Sequence, residues 1–388
     1  MQFTDFDTLD LARLPSPCFV VDEIAVERNL KILSDLADAS GATVLAALKA
    51  FALWKIAPLF TRYLGGTCAS GLFEARLGRE HYGGEVHVFS AAFSQSDLID
   101  ILGIADHVVF NSCEQWLRFR PLCLQAREQR PELRFGLRIN PEHSEVSFPL
   151  YDPCTPGSRL GIPITQLDEH ALTDISGLHF HTLCEQGFPP LQRTLEAVED
   201  RFGHLLERMD WINFGGGHHI TRDDYQVDAL ADCIRHFSEK YGVRVYLEPG
   251  EAVAIGTGVL VSEVLDLSYN EIDQAILDCS ATCHMPDILE MPYRPNVRGA
   301  RGSGTLRHSY RLGGLTCLAG DVIGDYSFEQ PLQVGQRLLF EDMAHYTMVK
   351  TTTFNGTRLP AIALWNSRTD ALEILREFDY ADFRDRLS

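Results

Sequence analysis

Four features of this chain follow short apolar runs in a suggestive order. Lys49 follows residues 44–48, His181 follows 177–180, Gly215-Gly216-Gly217 follows 211–214, and Glu248 follows 245–247. Residues at the C-terminal ends of strands in one parallel barrel converge on one face. A lysine amine there can form a Schiff base with an aldehyde. Three glycines let backbone N–H groups approach a phosphate without Cβ in the way. An imidazole can stack on a planar ring. A carboxylate at a barrel mouth needs a partner, and a protonated ring nitrogen is one. As a set these are the groups that pyridoxal phosphate requires. Each also has a plainer reading: a surface lysine, a core histidine, a turn, a structural salt bridge. For His179, two residues before His181, the core reading is preferred.

The elements that must position these residues alternate from Asp22 to about Leu247. Asp22 reads as an N-cap, with Ile24, Leu30, Leu33 and Leu36 as a helical stripe after it. Strand-like runs lie at 43–48, 66–68, 85–89, 107–110, 133–139, 177–181, 211–214 and 245–247. Helical patterns lie between them at 96–105, 114–125, 191–208 and 227–241, and the segment after Pro163 also reads as a helix. About eight β/α units are the number that closes a barrel. An open doubly wound sheet is the competing arrangement, and no G-x-G-x-x-G opens a helix. Alternation puts Leu45, Ala47 and Lys49 on one strand face, with the amine in an apolar mouth.

After Gly258 the texture changes. Runs at 259–267, 274–279, 309–312, 337–341 and 347–353 read as strands with Gly and Pro punctuation. The expected fold class is therefore α/β: a (β/α)8 TIM-like barrel over 22–257 and a mostly β domain over 1–21 and 258–388, joined by an N-terminal strand at 18–21. Residues 141–158 and 295–305 read as long loops, which in compact domains often serve function.

With 388 residues, of which 45% are hydrophobic, a sizeable core is available. A formal net charge of −20 without a long basic run argues against nucleic acid. The start, Met1-Gln2-Phe3-Thr4-Asp5, lacks a basic and apolar leader, and no apolar stretch is long enough to span a membrane. Ten cysteines without a CxxC pair fit a reducing cytoplasm. Cys279, Cys283 and His284 could suggest zinc, but no second ligand pair stands at suitable spacing, so no metal is expected.

The motifs together resemble the fold-type III pyridoxal phosphate decarboxylases, the alanine racemase and ornithine decarboxylase-like group. They are Leu48-Lys49-Ala50-Phe51, His179-Phe180-His181-Thr182-Leu183-Cys184-Glu185, Phe214-Gly215-Gly216-Gly217-His218-His219 and Glu248-Pro249-Gly250-Glu251. Two further stretches, Ser280-Ala281-Thr282-Cys283-His284-Met285-Pro286-Asp287 and Leu289-Glu290-Met291-Pro292-Tyr293-Arg294-Pro295, point within that group to the decarboxylases of carboxynorspermidine and carboxyspermidine. The resemblance spans nearly the whole chain. It implies that Lys49 anchors the cofactor and His181 stacks on its ring. Gly215, Gly216 and Gly217 would bind its phosphate, Glu248 would pair with its ring nitrogen, and Arg138 would sit beside its substituents. It further implies that Cys317 is a thiol proton donor and Tyr346 a phosphate contact, both acting across a homodimer interface.

Two departures stand out. Glu251 takes the place of a phosphate-contacting Arg, and Leu318 that of an acid after the catalytic Cys. The second argues against ornithine, so Asp287, Glu290 and Asp321 become the candidates for binding a polyamine-type substrate. The implied reaction yields norspermidine or spermidine. Decarboxylases of diaminopimelate, ornithine or arginine are the near alternative, and a non-catalytic pyridoxal phosphate binder is the alternative of another class.

Overall fold

A computed structural model describes residues 5–388. The first four residues of the expected β domain, and with them most of the leaderless start, lie outside the described residues. The chain divides into two compact units. One runs from Arg28 to Val253, and the other combines the N-terminal residues through Glu27 with Ala254–Ser388.

Among the described residues of the first unit, eight parallel strands close into a barrel. Strand β1 (Cys18–Asp22) belongs to the other unit, so the barrel begins at β2 (Thr43–Ala47). It continues through β3 (Gly66–Ala69), β4 (Glu85–Phe89), β5 (His107–Phe110), β6 (Arg134–Arg138), β7 (Gly177–His179), β8 (Trp211–Asn213) and β9 (Arg244–Leu247), and β9 pairs back to β2. The TIM-like barrel and mixed α/β class read from the sequence are present. Parallel strands are covered on both faces, so they appear in sequence as apolar runs. Most crossovers carry helices, among them Gln95–Ile104, Cys113–Gln129, Phe188–Leu206 and Val227–Tyr241. Asp22 Oδ1 accepts from Ile24 N–H at 3.2 Å at the start of the helix Glu23–Ser40.

The helix expected after Pro163 is a correction. The crossover from β6 to β7 is built from two 3-10 turns, Ile164–Gln166 and Glu169–Leu172. The Asp168 side chain accepts from His170 N–H at 2.9 Å and starts the second turn before the first can grow. Such local side-chain bonds compete with helix propagation.

Trp211, Leu45, Val109 and Tyr246 fill the barrel interior. The indole fits only because its neighbours on β6 and β7 lack side chains. A Cβ on Gly177 would lie 2.0 Å from Trp211 Cδ2, and one on Gly136 would lie 2.4 Å from Cη2. At the barrel's N-terminal end His87 and His107 stack at 3.9 Å with planes 11° apart, and Glu85 lies 2.8 Å from His87. Parallel rings aim their in-plane lone pairs along parallel lines, so this group is packing, not a converging metal-ligand set.

The second unit is a largely antiparallel sheet. Its further strands are β10 (Gly258–Asn270), β11 (Ile272–Leu277), β12 (Arg301–Gly302), β13 (His308–Gly313), β14 (Val322–Phe328), β15 (Arg337–Glu341), β16 (Ala361–Asn366) and β17 (Ala371–Arg376). The order is β12-β14-β13-β11-β10-β1-β16-β17, with β15 also on β10. The N-terminal strand joins this sheet as expected, antiparallel to β10 and parallel to β16. It is buried on both faces. Phe19 packs with Leu260, Leu277 and Phe340, while Cys18 and Val20 pack with Val259, Ala363 and Trp365.

The strand expected at 347–353 is a second correction. Tyr346 adopts φ +47°, and its carbonyl accepts from Val349 N–H at 3.1 Å and Lys350 N–H at 3.0 Å. The chain therefore curls into the short turn Met348–Lys350 despite its Thr- and Val-rich composition.

Replacing Gly177 with Ala should destabilise the barrel by about 1–3 kcal/mol, because the new methyl meets a rigid indole. Trp211→Phe in the same chain should recover part of that loss in thermal unfolding, whereas simple additivity of the two changes would contradict this packing account.

Candidate active site

Lys49, Arg138, His179, His181 and Glu248 line one cavity of about 640 Å³ at the C-terminal ends of the barrel strands. The long loop expected at 141–158 supplies much of the remaining wall, including Leu150, Tyr151, Pro153 and Ser158. Lys49 lies two residues beyond β2, in a turn, and is exposed to the cavity instead of being embedded in an apolar mouth. Its Nζ is 3.5 Å from His181 Nε2. A lysine ammonium only donates, so this contact requires an unprotonated Nε2. The ring proton then sits on Nδ1, which is 3.0 Å from the Gly216 carbonyl. Burial, with Lys49 and Arg138 nearby, holds the His181 pKa well below its ordinary value, so the ring is neutral.

Glu248 follows β9. Burial alone would raise its carboxyl, but His179, helped by His87 and His181, brings it down to about 2. Two side chains donate to it: Asn213 Nδ2 to Oε1 at 2.7 Å, and His179 Nε2 to Oε2 at 3.3 Å. Burial drives the His179 pKa down, so this pair is a neutral imidazole beside a carboxylate. The core reading of His179 thus stands with an addition, since its core partner is the acid at the mouth.

Asn213 was missed by sequence reasoning. It ends β8, and its Oδ1 accepts from Gly215 N–H at 2.8 Å while its amide holds Glu248. A polar residue closing an apolar strand immediately before a glycine run was the available signal. Gly215 and Gly217 have φ of +70° and +84°, and Cβ atoms on Gly215, Gly216 and Gly217 would lie 2.5, 2.1 and 1.9 Å from backbone oxygens. Glycine is therefore required throughout the run. Arg138 is buried, bonds the His181 carbonyl at 2.9 Å, and lies 4.6 Å over the Phe89 ring. Burial lowers its pKa to about 10, so it stays cationic. Glu251, where a phosphate-contacting Arg stands in ornithine decarboxylase-like sequences, lies 3.0 Å from His219.

The remaining predicted residues belong to the sheet unit. Cys317 is exposed on the turn after β13, with its N–H donating to Asn355 Oδ1 at 3.0 Å. Asp321 is buried beneath that turn. Its oxygens accept from Thr282 N–H at 3.2 Å, Thr316 N–H at 3.1 Å and Thr316 Oγ1 at 2.8 Å, and the Ser280 hydroxyl lies 3.0 and 2.8 Å from them. A carboxylate so engaged organises the turn and has no oxygen left for substrate. Asp287 and Glu290 are not open either, because both hold Lys350 Nζ at 2.5 Å. Tyr346 is half-buried at its left-handed turn. His284 uses both ring nitrogens, one accepting from Ser280 N–H at 3.2 Å and one 3.0 Å from the Arg358 carbonyl, which leaves none for zinc.

Barrel and site define a class that comparison with known proteins specifies. Residues 18–344 match the family described as "Pyridoxal-dependent decarboxylase, C-terminal sheet domain". The chain belongs to that family and is a decarboxylase. It is 47% identical to a carboxyaminopropylagmatine decarboxylase of Synechocystis, over 97% of this chain and 96% of the relative. It is 41% identical to a carboxynorspermidine/carboxyspermidine decarboxylase of Campylobacter jejuni, over 96% and 98%. The crystal structure of carboxynorspermidine decarboxylase from C. jejuni, complexed with norspermidine, superposes with a TM-score of 0.88 at 40% identity, covering 96% of this chain and 100% of that one.

The Glu248 carboxyl is depressed in the folded state from 4.5 to about 2. Its contribution is therefore full above the unfolded value and is lost as pH falls towards the folded one. Relative to Glu248→Gln, the wild type should gain up to about 3 kcal/mol at pH 6, shrinking to roughly half by pH 3. A pH-independent difference in unfolding free energy between the two proteins would contradict an ionised Glu248.

Proposed function

We propose that this chain decarboxylates linear carboxytriamines, carboxynorspermidine and carboxyspermidine, in polyamine biosynthesis, using pyridoxal phosphate. The observation that carries this reading is the single cavity faced by both Lys49 and the ionised Glu248. The residues present fit the cofactor. Lys49 would hold it, neutral His181 would lie against its ring, and Glu248 would keep its ring nitrogen protonated. Gly215, Gly216 and Gly217 would receive its phosphate at a loop where every Cβ is excluded. With Glu251 beside His219, that phosphate relies on backbone donors in place of the arginine. When bound, pyridoxal phosphate supplies an electron sink for the electrons of the broken Cα–carboxylate bond.

The chain's own residues do the rest. Arg138 keeps a fixed positive charge at the cavity wall. Cys317 delivers a proton to the substrate's α-carbon, and a thiol is a serviceable donor near neutral pH. Asp321 and Asn355 hold its turn. The thiol acts in the site of a partner subunit, with Tyr346 reaching the same phosphate, so the working form is a homodimer. The ten cysteines are free thiols, which supports a cytoplasmic location. Among the described residues no helix is long and apolar enough to cross a membrane.

A second reading has a specific observation in its favour. The Synechocystis relative, at 47% identity, is named for a substrate built on agmatine, whose free end is a guanidinium. A CO2-release panel separates the readings. Carboxynorspermidine and carboxyspermidine should exceed ornithine and diaminopimelate in kcat/KM by at least about a hundredfold, given the missing acid at Leu318. Preference for carboxyaminopropylagmatine would favour the second reading, and turnover of ornithine or diaminopimelate alone would overturn both.

A further inference from the structure

Asp287 and Glu290 were expected to receive the distal cation of a substrate, yet a cation already joins them. Lys350 Nζ lies 2.5 Å from Asp287 Oδ1 and 2.5 Å from Glu290 Oε2. The placement is built from both sides. The left-handed Tyr346 curls the chain so that its carbonyl takes Lys350 N–H, and Thr352 N–H donates to the Cys283 carbonyl at 2.8 Å. The acids follow the short helix Ala281–His284, whose N-cap Ser280 lies on Asp321. The lysine, the acids and the Cys317 turn are thus fixed to one another within the sheet unit.

Two consequences follow from charge and geometry. Two carboxylates and one ammonium leave a net charge of −1, which matches one monocationic terminus. The ammonium also takes one oxygen from each acid, so neither carboxylate presents both oxygens unshared. A guanidinium binds best as a fork on two oxygens of one carboxylate, whereas an ammonium is a point charge satisfied by single contacts. The bridge can yield to a second cation, because the side chains of Lys350 and Glu290 are 32% and 48% exposed and such pairs are held weakly.

We propose that Lys350 sets the specificity of the distal-cation subsite, favouring a terminal primary ammonium over a guanidinium. The proposal rests on Asp287 and Glu290 lying at that subsite in the proposed reaction. Removing the lysine frees a whole carboxylate for a guanidinium fork.

The test compares wild type, Lys350→Met and Lys350→Gln as holoenzymes, the Gln variant guarding against local collapse around an apolar stem. The readouts are kcat/KM for carboxyspermidine and carboxyaminopropylagmatine, and calorimetric binding of norspermidine and agmatine. Both variants should shift the ratio towards the guanidino compounds by at least about tenfold, the factor that one charge-assisted hydrogen bond is worth. A ratio within about twofold of wild type in both variants overturns the proposal. If the wild type turns over neither carboxylated compound, the functional reading fails instead, and the norspermidine-to-agmatine binding ratio still decides for or against Lys350.

Discussion

The site depends on keeping one carboxylate ionised inside a barrel. Glu248 stands at the mouth with little solvent, and a lone buried charge would neutralise itself. Donors from two neighbouring strands prevent that. Asn213 on β8 and His179 on β7 each reach one of its oxygens. The backbone takes part as well, since Glu248 N–H donates to the Gly215 carbonyl at 2.8 Å. The acid and the glycine run are therefore one structure with Asn213 as its centre. Moving either element would break both a charge-assisted bond and a loop that tolerates no Cβ.

The sheet unit repeats this logic with different residues. Asp321 is buried under an exposed thiol, and its donors come from the turn itself and from the start of the helix Ala281–His284. Gly314 is required here, because a Cβ would lie 2.3 Å from Asp321 Oδ2. In both units a carboxylate collects donors from separate segments and so fixes the position of a more accessible group. Around Glu248 that group is Lys49, and above Asp321 it is Cys317.

The barrel was legible because parallel strands buried on both faces leave apolar runs, and because the residues just past those runs are chemically unusual. Lys49, His181 and Glu248 could be found that way. What stayed hidden depended on contacts distant in sequence or on single backbone angles. The run 347–353 has strand composition, but Tyr346 at φ +47° turns it first. The segment after Pro163 has helical composition, but Asp168 caps a new turn within it. β14 carries Gly324 and Asp325 in its middle and is a strand only through pairing with β12 and β13. The strands β16 and β17 alternate in burial and could have been read from their period. The acids Asp287 and Glu290 were correctly suspected of binding a cation, but nothing local revealed that Lys350, some sixty residues on, already occupies them.

The central claim is that Lys49 is the anchor at a site whose electrostatics Glu248 sets. Borohydride reduction of the purified protein, followed by mass mapping of the labelled peptide, tests it most directly. The account predicts a visible absorption band that reduction bleaches and a pyridoxyl group on Lys49. A label on another lysine, or a colourless protein that takes up no added pyridoxal phosphate, would contradict it.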